Sequence, residues 1–317
     1  MDSLTCPLIN WPFTTFNIVA NVTYIFCLVC PLHGEKIKQP LKLLLASLSC
    51  STIAFVVSGI TLFYSNNLCF ILASFVVFVC NFSASVTSST GLSFFYYTQV
   101  VPAQRLLFIL IKKNINAIIF CILLLEKIFG LFIAGVIIRE YLILPNLILD
   151  GFNNNVTAYK DIVCLAITSP KPWTNMYIIA TTIQKASFIF CLCVMVMSNG
   201  ATVVYLYRHM RRMVANGQSL SCPRFSSQVR VTITGILQGV LCVFCAVWTA
   251  LHSFTKNIPA TSSKVCAELT VINLYMAGTT LCLGAGQAVF RQRVADIWTR
   301  AAQSCKAPKV QQSERGA

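Results

Sequence analysis

Glu126 and Lys185 are charged residues that each fall inside a long apolar stretch of the chain. A lone charge in the middle of a bilayer is costly, so charged residues there pair with one another or mark functional paths. Counted from the ends of their stretches, both side chains reach roughly 14–15 Å, close to the middle of a ~30 Å hydrocarbon core. The two could form a structural tie between neighbouring helices, act as a ligand or activation switch, or make no contact.

Other residue types that support chemistry are sparse. The chain has three histidines, and His33 and His209 lie at the edges of apolar stretches. No CxxC pair or His–Cys cluster among the 16 cysteines has the spacing of a zinc site. An intramembrane enzyme would need paired catalytic residues, which we do not find. The sequence therefore predicts no enzyme, no metal site and no cofactor.

Composition indicates which elements must position these residues. The chain is 56% hydrophobic and only 10% charged, whereas soluble proteins carry about 25% charged residues. The formal charge of +15 is, in so apolar a chain, typical of the cytoplasmic loops of a membrane protein. Nucleic-acid binding is not expected, because it needs a basic face on a soluble domain and these Lys and Arg residues stand between apolar runs.

Seven stretches are long and apolar enough to form membrane-spanning helices, which need about 20 residues. We number them spans 1 to 7, and they cover residues 11–32, 41–64, 69–97, 117–138, 175–207, 231–252 and 265–287. Spans 3 and 5 are longer than one crossing needs, so we expect them to tilt or project into the cytoplasm. The sequence predicts an all-α, seven-transmembrane helix bundle of the G-protein-coupled receptor type. The expected divisions are an extracellular N-terminus at 1–10, the bundle at 11–287, a cytoplasmic amphipathic helix at 288–305 and a disordered tail at 306–317.

The amphipathic helix follows span 7. Its apolar face comprises Val289, Phe290, Val294, Ile297, Trp298 and Ala301, with Arg291, Arg293 and Arg300 on the other face or its flanks. Such a helix lies on the inner leaflet and is held by apolar burial and anionic lipid. Cys305 could be palmitoylated or remain a free thiol.

The distribution of positive charge predicts the orientation. Seventeen Lys and Arg residues lie on the side of the C-terminal tail and five on the other side, so the N-terminus is expected outside the cell. Asn155 opens a glycosylation sequon in the loop between spans 4 and 5, which is extracellular in this orientation. Two further sequons, at Asn21 and Asn81, fall inside spans, where glycosylation cannot reach them.

Seven helices with short loops and a basic third inner loop favour a receptor over a transporter or channel, which remains a lower alternative. Transporters often contain paired half-repeats and broken helices, and an ion path would need several carboxylates. Here only Glu126 and Glu268 qualify. The acidic-Arg-aromatic triplet of span 3 and the Asn-Pro-x-x-Tyr motif of span 7, typical of rhodopsin-like receptors, are both missing.

Four short stretches resemble the type 2, or bitter, taste receptors, and one of them is the third inner loop, which runs through Pro223 and Ser226 to Arg230. Residues 92–100, LSFFYYTQV, resemble that family's Leu-Ser-x-Phe-Tyr-x-x-Lys-Ile, with Gln99 in place of Lys. Residues 206–213, LYRHMRRM, match its Leu-x-x-His-x-x-x-Met, and Leu283-Gly284 precedes a basic helix as in the family. The chain departs from the pattern at Thr52 (usually Arg), Thr87 (often Trp) and Ala277-Gly278 (His-Ser), which indicates a divergent, fish-like member. Type 1 vomeronasal receptors, for pheromones or odorants, are the alternative family.

The resemblance implies a plasma-membrane chemosensory receptor that binds a small amphipathic tastant and activates a heterotrimeric G protein of the gustducin or inhibitory type. Ligand is expected in the outer half of the bundle. The candidate lining residues are Phe75, Val79, Phe82, Thr181, Gln184, Lys185, Trp248, His252, Glu268, Val271 and Tyr275. Two other roles are open for His252: an interfacial cap, which is the simpler one, and a proton switch. The candidate G-protein contacts at the inner ends of spans 3 and 5 are Tyr96, Gln99, His209, Arg212 and Met213.

Cys69 opens span 3 and Cys164 lies in the outer loop, which faces an oxidising compartment. A disulfide between them is chemically feasible. Rhodopsin-like and vomeronasal receptors have one at similar places, whereas bitter receptors mostly lack it, so the sequence leaves the bond open.

Overall fold

A computed structural model describes residues 5–30, 39–65, 67–102, 106–152, 172–216, 223–254 and 262–306. Within these residues the chain forms nine helices and no strand. The helices are α1 (Thr5–Val29), α2 (Gln39–Tyr64), α3 (Leu68–Val100), α4 (Leu106–Lys113), α5 (Ile115–Phe152), α6 (Pro172–Ala215), α7 (Pro223–Phe254), α8 (Ser262–Gly286) and α9 (Ala288–Lys306). All but α4 and α9 contain a segment long and apolar enough to cross a membrane, seven within the described part of the chain. The expected all-α, seven-span architecture is therefore confirmed.

The ends of several helices differ from the expected spans. Helix α1 begins at Thr5, inside the segment predicted to precede the bundle, and α5 continues to Phe152 rather than ending near residue 138. Helix α5 is longer than expected because Arg139 and Glu140 end the apolar stretch of the sequence but do not end the helix. Helices α3 and α6, with 33 and 44 residues, confirm that spans 3 and 5 exceed one crossing.

Helix α3 lies at the centre of the bundle, where it contacts α2, α5, α6 and α7. The other spans close a ring around it, and α8 packs between α1 and α7. The outward faces are strongly apolar: Leu131, Met197 and Phe190 are 75%, 74% and 68% exposed. In water such a surface would drive aggregation, so it is the surface expected of a protein that faces lipid.

Helix α9 marks one end of the bundle, which we call the α9 end. Its Phe290 is buried and stacks on Tyr24 of α1 at a ring-centroid distance of 4.4 Å. Helix α9 occupies the segment for which the amphipathic helix is predicted. At the opposite end, which we call the far end, α1, α3, α6 and α8 begin and α7 terminates.

A row of polar side chains, which we call the polar seam, joins α1 to α8. The Asn10 amide donates to the Thr270 hydroxyl over 3.0 Å, and the Asn273 amide donates to the Asn10 carbonyl over 2.7 Å. Deeper in the bundle, the Asn21 amide donates to the Thr280 hydroxyl over 3.0 Å. Amide side chains buried among helices in a membrane need such partners. The polar seam explains why span 1 contains so many polar residues. The burial of Asn21 also agrees with the expectation that the sequon at this residue is not glycosylated.

Candidate functional site

A cavity of about 530 Å³ opens between α3, α6, α7 and α8 in the far half of the bundle. Its walls are formed by Phe82, Ser83, Thr181, Gln184, Lys185, Phe188, Ile189, Leu192, Ala246, Thr249, Ala250 and Glu268. This volume lies within the 300–1,000 Å³ range that is usual for sites of small organic ligands.

Helix α6 contributes the longest wall of this cavity. Thr181, Lys185, Phe188 and Leu192 recur at intervals of four, three and four residues, so one face of the helix carries all of them. Phe188 stacks on Phe82 of α3 with ring centroids 6.0 Å apart. This aromatic pair gives the cavity an apolar base, against which a ring or aliphatic body can pack.

Two side chains of opposite charge stand in this apolar lining. Lys185 lies on α6 and Glu268 on α8. No ion pair engages Lys185 among the side chains that the structure describes. The wall of the cavity therefore carries one basic and one acidic side chain, on two different helices.

Five of the residues expected to bind ligand meet at this cavity: Phe82, Thr181, Gln184, Lys185 and Glu268. Six others do not line it or cannot be placed, and they are Phe75, Val79, Trp248, His252, Val271 and Tyr275.

Among these, Tyr275 is buried behind the cavity, edge-on to Phe82 with centroids 6.1 Å apart, and Val271 packs into the same core cluster. Phe75 is 38% exposed on the outside of α3. The side chain of His252 lies outside the described residues. Val79 is half-buried but is not part of the wall.

On α7 the cavity wall contains a neighbour of the expected residue rather than that residue itself. Trp248 lies about 100° around the helix from Thr249, and Thr249 lines the cavity together with Ala246 and Ala250. Trp248 instead packs beside Phe244 at a centroid distance of 6.4 Å. Positions 246, 249 and 250 have the spacing of residues on one helical face, and this spacing was the available signal. It was missed because the prediction gave more weight to the large aromatic side chain than to these small ones.

The expected Glu126–Lys185 pair is not formed. The Thr87 hydroxyl donates to the Glu126 carboxylate over 3.1 Å, and the same hydroxyl lies 4.0 Å from the Cys191 sulfur. Glu126 is therefore level with Cys191, which follows Lys185 by six residues, about 9 Å along a helix. The depth estimate counted from the predicted ends of spans 4 and 5, and those ends do not mark equal heights on the two helices.

At the α9 end, hydrogen bonds tie the central helix to its neighbours. The Gln287 amide donates to the Tyr96 hydroxyl, joining the segment after α8 to α3. The Gln238 amide of α7 donates to the Ser89 hydroxyl of α3 over 2.7 Å. A cavity of about 30 Å³ lies between these two bonds, which is room for about one water molecule. Parting α7 or α8 from α3 requires these bonds to break.

The residues expected to contact a G protein gather at this same end. Tyr96 and Gln99 lie in the last two turns of α3, and His209, Arg212 and Met213 lie in the last two turns of α6. Arg212 is exposed, and His209 stacks on Tyr205 with centroids 6.1 Å apart.

Sequence reasoning missed a cap at the end of α8. The Arg291 guanidinium donates to the carbonyl oxygen of Ala285 over 2.7 Å, and it also reaches the carbonyl of Gly286. Cations near the last carbonyls of a helix are favourable. Partial burial and the nearby charge of Arg230 lower the pKa of Arg291.

Several expectations fall on parts of the chain that lie outside the description. Asn155 and Cys164 are in the undescribed segment 153–171, and the tail after Lys306 is likewise outside it. The side chain of Cys69 is also not described, so the Cys69–Cys164 disulfide and the Asn155 glycan stay predictions.

Two comparisons with known proteins bear on this arrangement. A family model described as taste receptor protein (TAS2R) matches residues 14–301, most of the chain. The crystal structure of squid rhodopsin superposes with a TM-score of 0.56 and 9% sequence identity, covering 96% of this chain and 87% of that one. At such low identity the likeness concerns the fold alone, which is that of a G-protein-coupled receptor. A search of curated protein sequences found no match.

Proposed function

Since the chain belongs to the taste receptor protein (TAS2R) family, and so is a multi-pass chemosensory receptor with the G-protein-coupled receptor fold, we propose that it is a bitter taste receptor. The family match favours this reading over the vomeronasal alternative. The fold match likewise favours a receptor over a transporter or channel.

The observation that carries the proposal is the cavity of about 530 Å³ in the far half of the bundle. A sphere of that volume is about 10 Å across, the size of a compact drug-like molecule. Phe82 and Phe188 pack against the apolar body of the ligand, while Lys185 and Glu268 orient its polar groups. The ligands that suit this lining are small amphipathic organic molecules with a hydrogen-bonding or charged group at the rim.

Signalling follows from a shift in population. A ligand that binds the active bundle more tightly than the resting one increases the active fraction. In the active state, α6 and α7 move from α3 at the α9 end, where the Gln238–Ser89 and Tyr96–Gln287 bonds stand. The cleft admits a heterotrimeric G protein of the gustducin or inhibitory type, which meets Tyr96, Gln99, His209, Arg212 and Met213.

This scheme requires the far end to face the outside of the cell and the α9 end to face the cytoplasm. The charge bias of the loops and the Asn155 sequon support that orientation in the plasma membrane. Helix α9 then lies on the inner leaflet, where its arginines meet anionic lipid.

A calcium-response screen tests the proposal. Cells that express the chain with a promiscuous G protein are exposed to bitter plant compounds, and matched cells carry the vector alone. The proposal expects concentration-dependent calcium release in the first cells only. Responses confined to volatile acids or steroid-like cues would favour the vomeronasal alternative, and uptake or current without G protein would overturn both receptor readings.

A further inference from the structure

Cys266, in the second turn of α8, takes part in a disulfide bond. Ten cysteines are free thiols among the residues that the structure describes, and so cannot be its partner. Five of the 16 cysteines remain. Cys305 lies in the last turn of α9, at the α9 end, whereas Cys266 lies near the start of α8, at the far end. Cys222 directly precedes α7 in the sequence, and α7 also begins at the α9 end, so we set both cysteines aside. The candidates are therefore Cys6, Cys69 and Cys164.

The polar seam distinguishes between these candidates. Helices α1 and α8 run in the same direction, and the hydrogen bond between Asn10 and Thr270 joins residues 260 apart in the chain. Cys6 and Cys266 are also 260 apart, and each stands four residues before its member of that bonded pair. Residues i and i+4 lie one above the other on a helix. One turn beyond the Asn10–Thr270 bond, the register therefore places position 6 beside position 266.

From this register we propose that Cys6 is the partner of Cys266, so that a disulfide links the far ends of α1 and α8. A disulfide needs Cα atoms about 4.4–6.8 Å apart, a separation that helices already joined by a 3.0 Å side-chain hydrogen bond can reach. The inference rests on the proposed orientation, because only the outer side of the membrane is oxidising.

The bond forms during maturation by thiol–disulfide exchange. The two thiols lose two protons and two electrons, and one sulfur–sulfur bond is made. The electrons reduce the disulfide of a lumenal thiol–disulfide oxidoreductase, which leaves as a dithiol.

The consequence concerns the ligand cavity. Glu268 follows Cys266 by two residues and belongs to the cavity wall. Tying the first turns of α8 to α1 fixes the position from which Glu268 meets a ligand. We expect loss of the bond to lower agonist potency several-fold and to leave the α9 end unaffected.

The decisive experiment is peptide mapping of the wild-type chain. Full-length receptor is alkylated with N-ethylmaleimide during lysis, digested without reduction, and analysed by mass spectrometry. We expect a linked pair of peptides containing Cys6 and Cys266. A link from Cys266 to Cys69 or Cys164, or an alkylated Cys266, would overturn the assignment. Because this test uses no variant, misfolding cannot obscure it.

Serine variants supply an independent test. Cys6→Ser, Cys266→Ser and the double change should reduce agonist potency equally, since each removes the same bond, whereas independent roles would make the double change worse than either. Cys69→Ser is the control and should leave the Cys6–Cys266 peptide pair intact. Staining of an N-terminal epitope on intact cells separates the failures: absent staining contradicts the orientation, while normal staining with a free Cys266 contradicts only the bond.

Discussion

Replacing Thr87 by Val removes the hydroxyl that donates to Glu126 and keeps the shape of the side chain. Hydrogen bonds to charged groups contribute about 1.5–3 kcal/mol, whereas neutral side-chain bonds between membrane helices average about 0.6 kcal/mol. The Thr87→Val change should therefore cost about 1–2 kcal/mol more when residue 126 is Glu than in the Glu126→Gln background. That difference corresponds to about a 5- to 30-fold change in the unfolding equilibrium.

The assay is the free energy of unfolding of purified receptor in mixed detergent micelles, titrated with SDS, for the four members of the cycle. Thr90→Val is the matched control. Thr90 lies one turn further along α3, is buried like Thr87, and donates to the backbone carbonyls of Val86 and Cys191 rather than to Glu126. Its replacement should cost the same with either residue at position 126.

A second cycle, with Glu126→Gln and Lys185→Met, examines by the same assay the ion pair that the sequence suggested. Because Glu126 and Lys185 stand at different levels and make no ion pair, Glu126→Gln and Lys185→Met should add within about 0.3–0.5 kcal/mol, as independent sites do. Equal costs of Thr87→Val in both backgrounds would refute the reasoning. So would rescue of Glu126→Gln by Lys185→Met, which would show that the two charges do meet.

Three other outcomes follow from the orientation, the cavity and the α9 end. Asn155→Gln should remove one N-glycan and lower the apparent mass on a gel; an N-terminal epitope visible only in permeabilised cells would contradict the orientation. Lys185→Met should shift agonist potency at least several-fold at normal surface expression. The control is Lys127→Met, which replaces an exposed lysine on the lipid side of α5 and should leave potency unchanged. Equal shifts in the two variants would remove Lys185 from the site. Alanine at Tyr96 or Arg212 should reduce G-protein signalling with ligand binding retained, and unchanged signalling in both would exclude them from the contact.

The number of spans could be predicted because a bilayer imposes a length of about 20 apolar residues on every crossing. The helix ends could not, since hydrogen bonding inside a helix continues past the point where hydropathy stops. Helix α5 shows this: it runs through Arg139 and Glu140 to Phe152. Hydropathy marks where lipid ends, not where a helix ends.

Which face of a span points inward was harder to predict. On α7 the large aromatic Trp248 was expected in the wall, which the smaller side chains of Thr249, Ala246 and Ala250 form instead. On α6 the expected polar residues Thr181, Gln184 and Lys185 all line the cavity, and their ligand contacts stay a prediction.

The partner of Glu126 was missed for a different reason. Pairing opposite charges is a sound rule for membranes, but a hydroxyl can also satisfy a carboxylate. Thr87 of α3 donates this hydrogen bond from its hydroxyl, and nothing in the hydropathy pattern distinguishes it from the other Ser and Thr residues of span 3.

The most direct test of the receptor assignment is nucleotide exchange on a purified G protein. The chain is reconstituted in lipid nanodiscs with a heterotrimer of the inhibitory type, and binding of a non-hydrolysable GTP analogue is followed with and without an agonist from the calcium screen. The account predicts that agonist accelerates exchange and that the acceleration weakens with Lys185→Met. Exchange at the same rate with and without agonist, for a receptor that binds the agonist, would contradict it.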